Sequence, residues 1–358
     1  MAEEIQFLEE EKLDSFRAKP ETQLKFLQET PEIRVGDPQK CREGRESYYS
    51  YPILVRDQQV AQRRYSEFLW LKNTLNAKYP GCFTSALPEK EGVMAYWTNQ
   101  DPSFYEFRRY GLEKFLERVS VNPRLRDSQD YKSFMNDDEI TFQIRVKESQ
   151  ENKSWFGTFK EWSSTVGSTV SSYLYGENTQ NSSDQSFSHQ WNQLKALYQQ
   201  QESLCNQGQE MVRCLDNEIQ SNVSLNKAYE NLSKVEKDDI SEKLSFMAEI
   251  HQRIVEAQRE SYSKVKNLVG QEMEDYRRFT LGALEAIERR NKIKLEASQG
   301  QLVETSSLDT DLRDNLEDFN QNKKFMGQQL GQKLIEFKHE LSQQLSEIWR
   351  DAYNQVVE

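Results

Sequence analysis

Proline is missing from about two thirds of this chain. All eight prolines fall at or before Pro123, and the 235 residues beyond it contain none. An interior proline costs about 3 kcal/mol in a helix, so this absence permits long uninterrupted helices in the rear of the chain. Histidine is almost as scarce. The three present are His189, His251 and His339, which leaves the first 188 residues without imidazole acid–base or metal chemistry. The four cysteines, Cys41, Cys82, Cys205 and Cys214, show no CxxC pairing, which argues against a zinc site and fits the scattered reduced thiols of a cytosolic protein. No P-loop, GxSxG or HExxH motif occurs, so an enzyme is not expected, and neither is a cofactor. No run approaches the roughly 20 apolar residues that span a bilayer. The opening "MAEEIQFLEE" lacks the basic-then-apolar layout of a signal peptide. A basic surplus is also missing: 47 Lys and Arg face 59 Asp and Glu, a net charge of −12 that argues against general nucleic-acid binding.

What is present is charge and length. With 36% hydrophobic and 30% charged residues, the composition is lean for a compact globule but suits long helices that share a seam. The 358 residues leave room for two or three domains. Residues 1–29 form an acidic lead. From 30 to 55 the pattern predicts two strands, "PEIRV" and "ESYYSYPILV", separated by the turn-rich "GDPQKCREGR". A third short strand is expected at Gln59–Arg63. It leads into the helix "SEFLWLKNTLNAKY", where Phe68, Leu71 and Leu75 recur at helical spacing and Ser66 is placed to cap the start. A loop from Pro80 to Pro102 precedes a second helix, "SFYEFRRYGLEKFLERV", which ends before Asn122-Pro123. The expected product is a compact α+β domain with a three-stranded antiparallel sheet.

Residues 149–176 read as an amphipathic helix. In "WFGTFKEWSSTVGSTVSSYLYG", Trp155, Phe156, Phe159, Trp162, Val166, Val170, Tyr173 and Leu174 project onto one arc, and Ser, Thr and Gly dominate the opposite face. Such a stripe either packs against a flanking domain or inserts into a bilayer interface. After the hinge-like "GENTQNSSDQS" at 176–186, residues 186–358 carry apolar residues at steps of three and four in three long stretches. The last is the cleanest, with Leu312, Phe319, Leu330, Phe337 and Leu341 among its members. An all-α, three-helix coiled-coil bundle follows, with dimerisation through those faces expected because so slender a bundle would otherwise expose apolar surface.

The sharpest motif is "RRYSEF", residues 63–68. Two arginines at a strand end can make forked, charge-assisted hydrogen bonds to a phosphate, and a neighbouring tyrosine can lie against a sugar-like ring. The same residues would also suit an ordinary solvated strand end. Continued through "YPGCFTSALPEK" and "DPSFYEFRRYGLEKFLERVSVNPRL", the stretch resembles the signature of PX domains, the phosphoinositide-binding modules of sorting nexins, over residues 30–138. The resemblance implies that Arg64 contacts the 3-phosphate of phosphatidylinositol 3-phosphate. Tyr65 would stack on the inositol ring, Lys90 would contact the 1-phosphate and Arg108 would bind the ring's 4- and 5-hydroxyls, with Arg109 a substitute for Arg108. The loop reads "SALP" where the family has PPLP, a departure that bears on Lys90. Val93, Met94, Tyr96 and Trp97 follow in that loop, placed either for membrane insertion or for packing on the domain's own core.

A PX domain followed by three long helices is similar to the PX-BAR sorting nexins, with 186–358 as a BAR-like dimerisation domain. The resemblance implies a peripheral protein on the cytosolic face of endosomes. It would bind phosphatidylinositol 3-phosphate membranes as a homodimer, or as a heterodimer with another sorting nexin, and sense or induce curvature in cargo sorting and tubule formation. Retrieval-coat subunits or cargo are further expected partners, and nucleic acid is not. A coiled-coil endosomal tether that does not bend membrane is the rival expectation. In the acidic helical region, "IERRNKIK" supplies the candidate membrane-facing cations Arg289, Arg290, Lys292 and Lys294.

Overall fold

The computed structural model describes residues 32–43, 46–88, 102–151, 185–237, 239–298 and 307–357. Lys90, the aromatic loop at 93–97 and the stripe at 155–174 lie outside the described residues. The chain divides into two compact units. One comprises Lys19–Gln201 with Asp275–Lys324, and the other includes Glu202–Glu274 with Phe325–Glu358.

The first unit opens with a four-stranded antiparallel sheet: β1 (Ile33–Val35), β2 (Gln39–Glu43), β3 (Glu46–Val55) and β4 (Gln58–Arg64). β3 is the long spine. β2 pairs with its first half (Gln39↔Ser50, Lys40↔Tyr49), β1 with its last residues (Ile33↔Val55), and β4 with residues 50–55. The sheet has one strand more than the pattern predicts. β2 lies inside "GDPQKCREGR", whose Gly, Asp and Pro read as a turn, although its middle pairs residue by residue with β3. The β3–β4 hairpin turns through Arg56 and Asp57, both at positive φ (49° and 63°), in the place where Asn-Gly is the usual signal.

Five helices follow: α1 (Tyr65–Lys78), α2 (Pro102–Val121), α3 (Pro123–Arg126), α4 (Gln129–Asn136) and α5 (Glu139–Glu151). α1 buries Phe68, Leu71 and Leu75 as its spacing dictates, against Tyr51, Ile53, Leu112, Phe115 and Phe134. Ser66 is not its cap. Arg64 holds the cap position in extended backbone, and its N–H donates to the Glu67 carboxylate at 2.8 Å, so the orphan donor is satisfied from the third helical position. α5 arises from "EITFQIRV", which gives little helical signal. Phe142 is fully buried in the core, Val146 packs beside it, and the Trp70 indole N–H donates to Ser149 Oγ at 2.8 Å.

Part of the helical region belongs to this same unit: the start of α6 (Gln185–Val235), α8 (Glu274–Ser298) from Asp275 onward, and the first turns of α9 (Leu308–Val357). Residues 82–87, expected to be loop, are all buried here. Phe83 packs on Phe279 and Phe319 with ring centroids 5.8 and 6.0 Å apart. Leu312 and Phe319, expected to face a dimer partner, are therefore covered within the chain, and Leu330 is buried as well. Buried charges tie the elements together. Arg118 of α2 makes a forked pair with Asp275 of α8 at 2.7 and 2.5 Å, and Lys72 of α1 meets Glu285 at 2.9 Å.

The second unit contains the rest of α6, all of α7 (Asp239–Asn267) and the rest of α9. Its core brings Ile250 and Ile254 of α7 against Ile348 and Ala352 of α9. A polar layer interrupts the apolar seam. His251 stacks on Tyr229, its Nδ1 lies 3.3 Å from Asn222 Oδ1, and Gln258 donates to Glu218 at 2.7 Å. α7 continues into a π-helical turn, Leu268–Met273. That wider turn shifts the phase of the apolar stripe so that Val265, Leu268, Val269 and Met273 are all buried.

Burial pushes the Asp275 carboxyl up, yet the Arg118 guanidinium, with Arg278 and Lys114, more than offsets this and holds it below the usual carboxylate range. Removing one partner leaves the other charge buried. Asp275→Ala is expected to destabilise the fold by about 3–5 kcal/mol at neutral pH, read by chemical denaturation. Glu288 behaves in the opposite way, since burial and then the neighbouring Glu285 push its carboxyl up to about 7. Between the ordinary carboxylate pKa and that value the folded state holds the extra proton, so stability falls as pH rises through this window. Glu288→Gln should therefore raise the melting temperature at pH ~8 and leave it nearly unchanged at pH ~4.

Candidate functional site

The site is built where β4 runs into α1. Side chains alternate along a strand, so consecutive arginines must point to opposite faces. Arg63 faces inward and is 2% exposed. Its guanidinium donates to the carbonyls of Phe134 (3.0 Å) and Asp137 (2.6 Å) at the end of α4 and lies 4.3 Å from the Phe142 ring. It is a structural cation, not half of a phosphate fork. Of the motif's two arginines, Arg64 alone is left partly accessible.

Arg64 faces outward. Its side chain is about one-third exposed, with Nε 3.5 Å from Glu67 Oε1 and the guanidinium 5.3 Å from the Tyr48 ring. Glu67 is buried, which pushes its carboxyl up despite the Arg64 amide hydrogen bond and the two arginines beside it. Tyr65, the first residue of α1, donates its hydroxyl to the Pro88 carbonyl at 2.6 Å. Arg108 reaches the same place from α2, its guanidinium 5.2 Å from the Tyr65 ring and 4.3 Å from that of Phe104. Beneath it lies Tyr51, whose phenol burial pushes up and the Arg108 guanidinium partly draws back. Tyr49 and Tyr105, with ring centroids 4.3 Å apart, extend this aromatic wall. Arg108 of α2 thus meets Tyr65 of α1, while Arg64, at the adjoining strand end, lies beside Glu67 and Tyr48. Guanidinium groups and ring faces of this kind are the chemistry that a phosphorylated polyol binds. Arg109 is directed elsewhere and donates to the Val35 carbonyl at 2.9 Å.

The basic stretch of α8 departs from expectation. Arg289 and Arg290 do not face outward: they are 8% and 1% exposed. Arg289 donates to the carbonyls of Pro80 and Cys82, and Arg290 to Asp309 at 2.8 Å. Lys292 and Lys294 remain accessible, paired with Glu296 and Asp309 respectively. Period-3.6 counting places all four on neighbouring faces but cannot tell which face another element covers. Among the described residues no group of His, Cys, Asp and Glu could hold a metal ion. No helix among them is long and apolar enough to cross a membrane.

Residues 52–138 match the family model of the PX domain. Sorting nexin 1 of Arabidopsis thaliana is 34% identical over 117 residues, covering 30% of this chain and 29% of that protein. Vacuolar protein sorting-associated protein vps5 of Schizosaccharomyces pombe is 33% identical over 112 residues, 29% of this chain and 19% of the relative. Mouse sorting nexin-4 is 37% identical over 124 residues, 29% and 27% of the two chains. The matched stretch thus spans less than a third of each of these relatives. In three dimensions the chain resembles the SNX-BAR Mvp1 tetramer's subunit with a TM-score of 0.50 at 16% identity, covering 90% of this chain and 96% of that one. Residues 52–138 thus form a PX-type domain, and the chain is similar in fold to an SNX-BAR protein.

Proposed function

We propose that this chain is a non-enzymatic endosomal sorting protein that reads phosphatidylinositol 3-phosphate and shapes or senses curved membrane as a dimer. The Arg108 guanidinium over the Tyr65 ring, with Arg64 preceding Tyr65 at the end of a PX-type sheet, is the observation that supports the reading. Arg64 meets the 3-phosphate, Tyr65 the inositol ring and Arg108 the ring hydroxyls, with Lys90 on the 1-phosphate. Val93, Met94, Tyr96 and Trp97 enter the interface beside the headgroup, and the 155–174 stripe acts as a wedge. With Arg289 and Arg290 buried, Lys292 and Lys294 are the remaining cations of "IERRNKIK", and their acidic neighbours weaken any pull on anionic lipid. Headgroup recognition and apolar insertion then dominate, multiplied by two copies in a dimer. The dimer forms through apolar faces that the chain leaves uncovered. Ile335, Trp349, Tyr353 and Val356 of α9 are 58%, 47%, 67% and 74% exposed, in place of the buried Leu312, Phe319 and Leu330.

Arg64→Ala should reduce affinity for vesicles containing phosphatidylinositol 3-phosphate roughly tenfold to a hundredfold, the loss of about 1.5–3 kcal/mol from a charge-assisted contact, with circular dichroism unchanged. Undiminished vesicle binding by that variant would remove the pocket from consideration. Exchanging both Phe159 and Trp162 for Glu puts charge onto the apolar arc. This double variant should still sediment with such vesicles but draw few tubes from them by electron microscopy. Tubes as abundant as wild type, at matched coverage, would assign the stripe to packing, and clustered vesicles without tubes from the wild type would favour a tether.

A further inference from the structure

The segment Pro80–Pro88 joins two sites. Its far end forms the back of the pocket, since the Pro88 carbonyl accepts the Tyr65 hydroxyl at 2.6 Å. A Cβ placed on Gly111 of α2 would lie 3.0 Å from Pro88 Cγ and 3.1 Å from Arg278 Nη2 of α8. The rest of the segment is clasped by α8. The Ala86 N–H donates to the Arg278 carbonyl at 3.1 Å, and Arg289 donates to the carbonyls of Pro80 (3.4 Å) and Cys82 (3.3 Å). Between them the segment crosses directly over Gly282, where a Cβ would strike the Thr84 carbonyl oxygen and come within 3.0 Å of Ser85 Cα. Both obstacles are backbone, so no side-chain rotation relieves them. Side chains of the segment are closed in as well, with Phe83 packed against the paired rings of Phe279 and Phe319.

We infer that α8 is part of the headgroup-binding apparatus: Gly282 and Arg289 are positioning residues that fix the Pro80–Pro88 segment and, through Pro88, the pose of Tyr65. Resting on the phosphoinositide reading of the pocket, this makes the PX site of the chain dependent on a helix about 200 residues downstream. A displacement of α8 must move or free the segment, because packed backbone has no intermediate position to adopt. Coupling of this kind is reciprocal, so a headgroup in the pocket must also steady α8.

Water-soluble dibutanoyl phosphatidylinositol 3-phosphate is the probe, since it reports on the pocket without a membrane. Titrated by calorimetry into the full chain, it should bind Gly282→Val and Arg289→Met about tenfold more weakly than wild type, the scale of a typical coupling free energy. Asp130→Asn weakens the Lys78–Asp130 pair between α1 and α4, which involves neither α8 nor the segment. It should lower the melting temperature while leaving affinity within twofold. Equal losses in all three variants would reduce Gly282 and Arg289 to stability determinants, and unchanged affinity in both clasp variants would overturn the inference outright. Should the clasp variants not fold, wild-type amide exchange decides. Saturation with the probe should slow exchange at residues 278–289 as well as 80–88, and protection confined to the pocket would overturn the coupling. Arg64→Ala separates the two readings. If it binds the probe as wild type does, the pocket assignment fails, and the inference fails with it.

Discussion

Where Arg64 sits depends on where Arg63 is anchored. A buried guanidinium carries five N–H donors and cannot shed its charge cheaply, so it must find acceptors inside the protein. Arg63 finds them in the carbonyls at the end of α4, which are short of partners because a helix leaves its last carbonyls unpaired. One side chain thus closes a helix end and fixes β4 against it, with Phe142 lying on the cation's face. Given the pleat, Arg64 can only point to the opposite side. The Glu67 carboxylate then starts α1 at the next residue, and Tyr65 is set by the first helical turn.

A similar economy runs through α8, where buried charge does the work of an apolar interface. Arg118–Asp275 and Lys72–Glu285 are each fully countered, whereas Glu288 lies against Glu285 with its carboxyl pushed up. Buried pairs add little net stability over apolar packing, but they penalise every mismatched arrangement heavily. Their contribution here is to fix how α1 and α2 meet α8.

Much of this was legible in the sequence, for identifiable reasons. The absence of proline after Pro123 foretold the helices, and Phe68, Leu71 and Leu75 foretold the buried face of α1. The Arg108 guanidinium lies 5.2 Å from the Tyr65 ring, and Arg64 adjoins Tyr65 at the end of β4. What was not legible depended on non-local contacts. β2 exists because β3 pairs with it, whatever its own composition suggests. "PGCFTSALP" has the residues of a surface loop and is buried because α8 and α9 cover it. Arg289 and Arg290 look like solvated helix charges until their acceptors, the Pro80 and Cys82 carbonyls and Asp309, are in view. The π-helical turn has no compositional mark, since a phase shift shows only in the burial it produces.

The discontinuity of the first unit also bears on how the protein is made. Phe83 and its neighbours are complete in the chain long before Phe279 and Phe319 exist to cover them. At synthesis rates of about 5–20 residues per second, some 200 residues of delay leave that surface open for on the order of ten to forty seconds. For that interval the nascent PX fold carries an apolar seam with no cover of its own. A holding chaperone acting on this protein would find its first ribosome-bound target there, and a fragment cut before α8 would carry the same seam permanently.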